Sequence, residues 1–127
     1  IFKYTKAIIE EKPIEVYNYG EMERDFTYID DIVDGVIVSL NKPFEYEIFN
    51  LGRGQSIPLE RFISCIEKRL NKKAKKVYLP LQKGDVPKTY ADIEKSRKIL
   101  GFNPKVSIET GIKEFIQWYK SYYKITL

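Results

Sequence analysis

Helical and extended stretches alternate along this chain, and the alternation predicts an α/β fold of small sheets with about four to five helices. Two further observations point the same way. At 127 residues and 43% apolar composition the chain is long enough for one compact core. No repeat, low-complexity tract or Pro/Ser-rich linker divides it, so a single unit over 1–127 is expected.

The elements follow in order. The opening "IFKYTKAIIEEKP" is amphipathic and starts at Ile1 rather than Met, so residues upstream are expected. "PIEVY" (13–17) is extended, with β-branched and aromatic residues. In "YIDDIVDGVIVSL" (28–40), Ile29, Ile32, Val33, Val36, Ile37 and Leu40 recur at steps of three and four behind an acidic first turn, Asp30 and Asp31. That spacing predicts a helix that packs hard along one stripe. "EIFNL" (47–51) reads as a strand. Pro58 opens a helix through Leu59, Phe62, Ile63, Ile66 and Leu70 that ends in the basic "KRLNKK". "KVYLPL" (76–81) and "KTYAD" (88–92) are further strand candidates. Asp92 is placed to cap a short helix, Ile93 to Leu100, closed by Gly101 and Pro104. Ser107 opens the last helix, with Ile108, Ile112, Phe115, Ile116 and Tyr119 facing inward.

Composition excludes several function classes. With no histidine there is no Ser-His-Asp triad and no histidine metal site, and the lone Cys65 makes neither a thiolate cluster nor an internal disulfide. No metal is expected, and a reducing cytoplasm fits best. No run approaches a membrane span, so the protein reads as soluble with no membrane partner. The net charge of +4 is spread along the chain and names no partner by itself.

Five stretches carry candidate chemistry. "GRG" (52–54) has Ile57 where the third glycine of a dinucleotide loop belongs, so it reads as a turn at a strand end rather than a phosphate cradle. In "GEMERDFTYIDD" (20–31), Arg24 offers a fork suited to phosphate oxygens. The residues alone favour instead a local ion pair with Asp25, Asp30 or Asp31. In "GDVPKTYAD" (84–92), Asp85 follows a glycine that permits close approach, and its carboxylate can accept both hydroxyls of a diol; the plain alternative is a turn aspartate. Tyr17 and Tyr19 can stack a base or cover the core's rim. The C-terminal "WYKSYYK" (118–124) interleaves aromatics and lysines, which suits single-stranded nucleic acid. An amphipathic helix end explains it more simply, so no nucleic-acid partner is expected.

Three stretches in fixed order, "PIEVYNYGEMERDFTYIDDIVDG", "EIFNLGRGQSIPLERFI" and "GDVPKTYADIEKSRKILGFNPKVSIETGIKEFIQWY", resemble the C-terminal part of the extended short-chain dehydrogenase/reductase family, the NAD-dependent nucleotide-sugar epimerases and dehydratases. "RDFTYIDDIVDG" and "GDVPKTYAD" are similar in particular to the UDP-glucuronate 4-epimerase branch, which includes capsular-polysaccharide biosynthesis proteins. The resemblance implies a UDP-sugar partner: Arg24 on the diphosphate, Asp85 on the ribose hydroxyls, and Glu15, Val16 and Tyr17 lining the uracil chiefly through backbone and ring. Related UDP-hexose epimerases carry a second arginine where this chain has Gln82, and the glucuronate-type branch tends to show glutamine there. The resemblance also implies that 28–51 belongs to the NAD-binding lobe and that the full-length enzyme is a homodimer. Family chemistry uses NAD and a tyrosine with lysine four residues later. None of the ten tyrosines here has that lysine, and no complete dinucleotide fingerprint is present. The chain alone is therefore expected to bind no NAD, to hold no catalytic residue, to be inactive, and to self-associate or lose order where the 28–40 helix and the "EIFNL" strand are uncovered. UDP-glucose 4-epimerase, a dehydratase of the same family, and a nucleic-acid or protein-interaction module are the alternatives.

Overall fold

A computed structural model describes residues 1–126 as an α/β arrangement of five helices and two small sheets. The helices are α1 (Phe2–Ile9), α2 (Ile29–Leu40), α3 (Leu59–Leu70), α4 (Glu94–Leu100) and α5 (Ile108–Tyr123). The strands are β1 (Pro13–Val16), β2 (Glu23–Asp25), β3 (Ser56–Pro58) and β4 (Lys75–Tyr78). β1 pairs with β4 in parallel, Ile14 beside Lys76 and Val16 beside Tyr78. β2 pairs with β3 antiparallel, Arg24 opposite Ile57.

The larger core forms where α1, β1, α3 and α5 turn their apolar faces together, with Ile8, Ile14, Val16, Ile63, Ile66, Ile112 and Ile116 all buried. Burying each such side chain stabilises by about 1.5–3 kcal/mol, so this cluster dominates the fold. Phe26, just past β2, stacks on Phe62 of α3 with ring centroids 4.3 Å apart and fixes that strand against the core. A second cluster of Ile93, Leu100 and Phe102 gathers Val38, Phe49, Leu51 and Ala91 around α4. Helix ends follow the sequence rules: the Ser107 hydroxyl accepts the Thr110 N–H at 3.2 Å, and Gly101 closes α4 at φ +72°.

Several expectations need correction. "EIFNL" forms no strand, because no neighbouring strand offers it a ladder; Ile48 is left exposed. "KTYAD" makes a single parallel bridge, Glu23 with Lys88, in place of a strand. The short β3 lies just past the expected turn at 52–54, where no strand was expected, and it pairs with β2, with Pro58 ending the strand instead of standing in the helix. The cap of α4 is Ile93; the Asp92 carboxylate sits one residue earlier and accepts the Glu94 N–H at 3.0 Å.

The largest departure is α2. Its apolar stripe faces out, with Ile29 61%, Ile37 50% and Leu40 80% exposed, and the residues it buries are Asp31 and Gly35. Gly35 permits this close approach, since a Cβ there would stand 2.8 Å from Leu51 Cδ2. Asp31 accepts the N–H groups of Lys105 and Val106 at 2.8 and 3.0 Å, so the polar side of the helix is tied to the 105–106 segment. Among the described residues no helix is long and apolar enough to cross a membrane.

Candidate functional site

β2 is short, but its β3 partner and the Phe26 anchor hold Arg24 at a defined place, half-buried. Opposite it lies the loop from Gln82 to Lys88. Gly84 turns this loop at φ +90°, a conformation other residues adopt only with strain, and the Asp85 N–H closes the turn on the Gln82 carbonyl at 3.1 Å. The loop runs back along β2: the Glu23 N–H donates to Pro87 O at 2.8 Å, the Thr89 N–H to Glu23 O at 3.1 Å, and Lys88 pairs with Glu23 at 2.8 Å.

Arg24 and Asp85 therefore meet. Arg24 Nη2 donates to Asp85 Oδ1 at 2.7 Å, while Nη1 donates to the carbonyls of Glu23 at 2.8 Å and Pro87 at 3.2 Å. The local pairs that the residues alone favoured are absent: Asp25 and Asp31 accept backbone N–H groups elsewhere. A guanidinium carries more donors than the three engaged here, and the remainder is what a diphosphate can take. The two side chains are 25% and 36% exposed, so their pair contributes up to about 1 kcal/mol and opens at low cost to a ligand.

The other expected residues gather at the end of β1. The Tyr17 hydroxyl donates to Glu15 Oε2 at 2.7 Å, and that hydrogen bond holds the phenol above its ordinary pKa. The Glu15 carbonyl accepts the Tyr4 hydroxyl at 2.8 Å. Val16 is wholly buried and its carbonyl takes the Leu79 N–H at 3.0 Å, so the strand pairing, and not a free Val16 contact, occupies that carbonyl. Gln82 is exposed beside the Asp85 turn. Beyond Tyr17 the chain turns through Asn18, Tyr19 and Gly20, all at positive φ, with the exposed Tyr19 pinned by its N–H to Leu79 O at 3.0 Å. Among the described residues no hydrogen bond joins the Glu15–Tyr17 pair to the Arg24–Asp85 pair.

Sequence reasoning missed two groups. Glu60 accepts from the Tyr78 hydroxyl at 3.0 Å and pairs with Lys76 at 2.5 Å, which ties α3 to β4, and its Oε1 would lie 3.0 Å from a Cβ at Gly20, so the turn after β1 passes close to it. Asp25 takes the N–H groups of Arg53 and Gly54, both at 2.9 Å, so the Gly-Arg-Gly turn points its donors at a carboxylate instead of a phosphate. Neither arrangement has a local spacing signal, because its partners are far apart in sequence.

A cleft of about 380 Å³ lies elsewhere, between Phe26, Tyr28, Phe62, Ile108 and Phe115. No charged side chain lines it. Among the described residues no cluster of His, Cys, Asp and Glu is arranged to hold a metal.

Comparison with known proteins gives a consistent result. The family model described as GDP-mannose 4,6 dehydratase matches residues 1–115. An uncharacterised protein of Methanocaldococcus jannaschii is 59% identical over 118 residues, covering 93% of this chain and 36% of that protein. A UDP-glucuronate 4-epimerase of Thermodesulfobacterium geofontis is 49% identical over 121 residues, 94% of this chain and 37% of its own. The UDP-glucuronic acid 4-epimerase of Bacillus cereus, solved in complex with UDP-glucuronic acid and NAD, superposes with a TM-score of 0.87 at 32% identity over 94% of this chain and 39% of that one. The chain thus spans well under half the length of each of these relatives.

Proposed function

The chain belongs to the GDP-mannose 4,6 dehydratase family of extended short-chain dehydrogenases/reductases, and from that membership we propose that it is the UDP-sugar-binding part of an NAD-dependent nucleotide-sugar epimerase acting at C4 of UDP-glucuronate. The observation that carries this reading is the meeting of Arg24 and Asp85, 61 residues apart in sequence, at 2.7 Å. A bidentate cation for the diphosphate and a carboxylate for the adjoining diol stand side by side, the pairing that a nucleoside diphosphate demands. Tyr17 and the exposed Glu15 beside it would line the base, while Val16, buried with its carbonyl held by Leu79, supports them from within the strand. Gln82 adds a neutral amide where a second cation would serve a UDP-hexose, so phosphate neutralisation rests on Arg24.

NAD does not fit the residues described. The Gly-x-Gly turn at 52–54 has the N–H groups of Arg53 and Gly54 bound to Asp25, and a phosphate there would have to displace a carboxylate that both groups already satisfy. This reading therefore assigns hydride and proton transfer at C4 to residues beyond this chain, and gives the chain the holding of the nucleotide. The isolated 127-residue chain is expected to turn over no UDP-glucuronate.

Calorimetric titration with UDP tests the assignment. Arg24→Ala abolishes measurable binding and Asp85→Asn weakens it, whereas Asp31→Asn, which touches neither, leaves it intact. Equal affinity in all four chains overturns the site.

A further inference from the structure

Asp25 follows Arg24 in β2, and its carboxylate joins three segments. Oδ1 takes the Arg53 N–H at 2.9 Å and the Thr27 hydroxyl at 3.3 Å; Oδ2 takes the Gly54 N–H at 2.9 Å and the Ala91 N–H at 3.1 Å. Its own N–H donates to Thr89 Oγ1 at 3.2 Å. The segments meet tightly, since a Cβ on Gly52 would stand 2.5 Å from that of Ala91.

The run 89–91 is the downstream end of the loop that carries Asp85. Arg24 grips the middle of that loop through Pro87 O and Asp85, and Asp25 grips its end. Arg24 and Asp25 are neighbours on one strand, so the separation of Arg24 from Asp85 is set by where Asp25 holds Thr89 and Ala91. With the carboxylate's hold on Ala91, Arg53 and Gly54 lost, the loop keeps its bonds to Glu23 and to the Arg24 guanidinium, and at Thr89 to the Asp25 N–H and the Ser56 hydroxyl. The end that the carboxylate anchors is freed, and the spacing of guanidinium and carboxylate loosens.

We propose that Asp25 is a positioning residue for the nucleotide site: it touches no ligand and fixes the geometry in which Arg24 and Asp85 receive one. The affinity part of this proposal rests on the nucleotide-sugar reading; the loop-holding part does not. Asp31 is the control, a carboxylate that also accepts backbone N–H groups, two of them, but on the 105–106 segment.

The test compares Asp25→Asn with Asp31→Asn in the 127-residue chain, by UDP titration and by amide hydrogen exchange. Asp25→Asn is expected to weaken UDP binding about tenfold, while Asp31→Asn stays within about twofold of the parent. The Thr89 and Glu23 amides are expected to exchange faster in Asp25→Asn than in Asp31→Asn, relative to the core amides of α3. Equal loss of UDP affinity in the two variants, or equal protection at Thr89 and Glu23, overturns the proposal. If the parent chain does not bind UDP, the nucleotide-sugar reading falls by itself and exchange alone decides: lost protection supports the loop-holding role, kept protection refutes it. If Asp25→Asn does not fold, Thr89→Val removes the acceptor of the Asp25 N–H with little change of shape. Weaker UDP binding or faster Glu23 exchange in Thr89→Val than in Asp31→Asn then supports the proposal, and parity in both refutes it.

Discussion

Arg24 reaches its place by way of two carbonyl oxygens as well as a carboxylate, and this distinguishes it from a surface cation. Lysine would keep the charge but lose the planar fork that holds Glu23 O, Pro87 O and Asp85 together. Arg24→Lys is therefore expected to weaken UDP binding about tenfold; affinity equal to the parent would mean that charge alone serves. Glu60 offers a test by pH. Burial pushes its carboxyl up, but the hydrogen bonds from Lys76 and Tyr78 outweigh burial and hold it below the ordinary carboxylate value. A lowered folded-state value contributes stability that is full above the unfolded value and lost as pH falls through the folded one. Thermal midpoints followed from about pH 7 to 3 are expected to fall more steeply in the parent than in Glu60→Gln, with the variant less stable at the upper end; parallel curves would refute it. The sequence offered Arg24 and Asp85 as candidates but placed the arginine's partner among its nearest aspartates, because spacing along the chain reports only local contacts.

Helices were legible wherever the inward stripe was long. α3 and α5 bury the residues their spacing singles out: Phe62, Ile63, Ile66 and Leu70 in the first, Ile112, Ile116 and Tyr119 in the second. α2 has an equally regular stripe and turns it outward, because periodicity fixes which side chains share a face and says nothing of what covers it. The difference is measurable. Ile63→Ala removes a wholly buried side chain and is expected to cost about 2–5 kcal/mol in chemical denaturation. In the dilute monomer, Ile37→Ser, on the uncovered face of α2, is expected to change stability by no more than about 0.5 kcal/mol; a core-sized loss there would show that the chain itself covers the face. The short strands were the least legible elements. β2 and β3 are three residues each, too short for an alternating pattern, and each exists only through the other.

Across the whole chain the α/β class and the family were readable from motifs in fixed order, whereas the pairing of strands and the convergence at Asp25 depend on contacts between distant segments. The region 28–51, which we assign to the cofactor lobe of the longer enzyme, packs its inner side on the α4 cluster through Val38, Phe49 and Leu51 and leaves Val33, Ile37 and Leu40 uncovered. We propose that the isolated chain associates through that face. Sedimentation is expected to show concentration-dependent association that Val33→Asp abolishes, and a monomer at every concentration would refute it. The central claim is that one pair, Arg24 with Asp85, grips a nucleoside diphosphate. The most direct measurement is a crystal structure of the chain with UDP bound. The account predicts diphosphate oxygens on the Arg24 guanidinium and ribose hydroxyls on the Asp85 carboxylate, with the base toward Tyr17; UDP seated in the apolar cleft by Phe26 and Phe115, or on the aromatic end of α5, would contradict it.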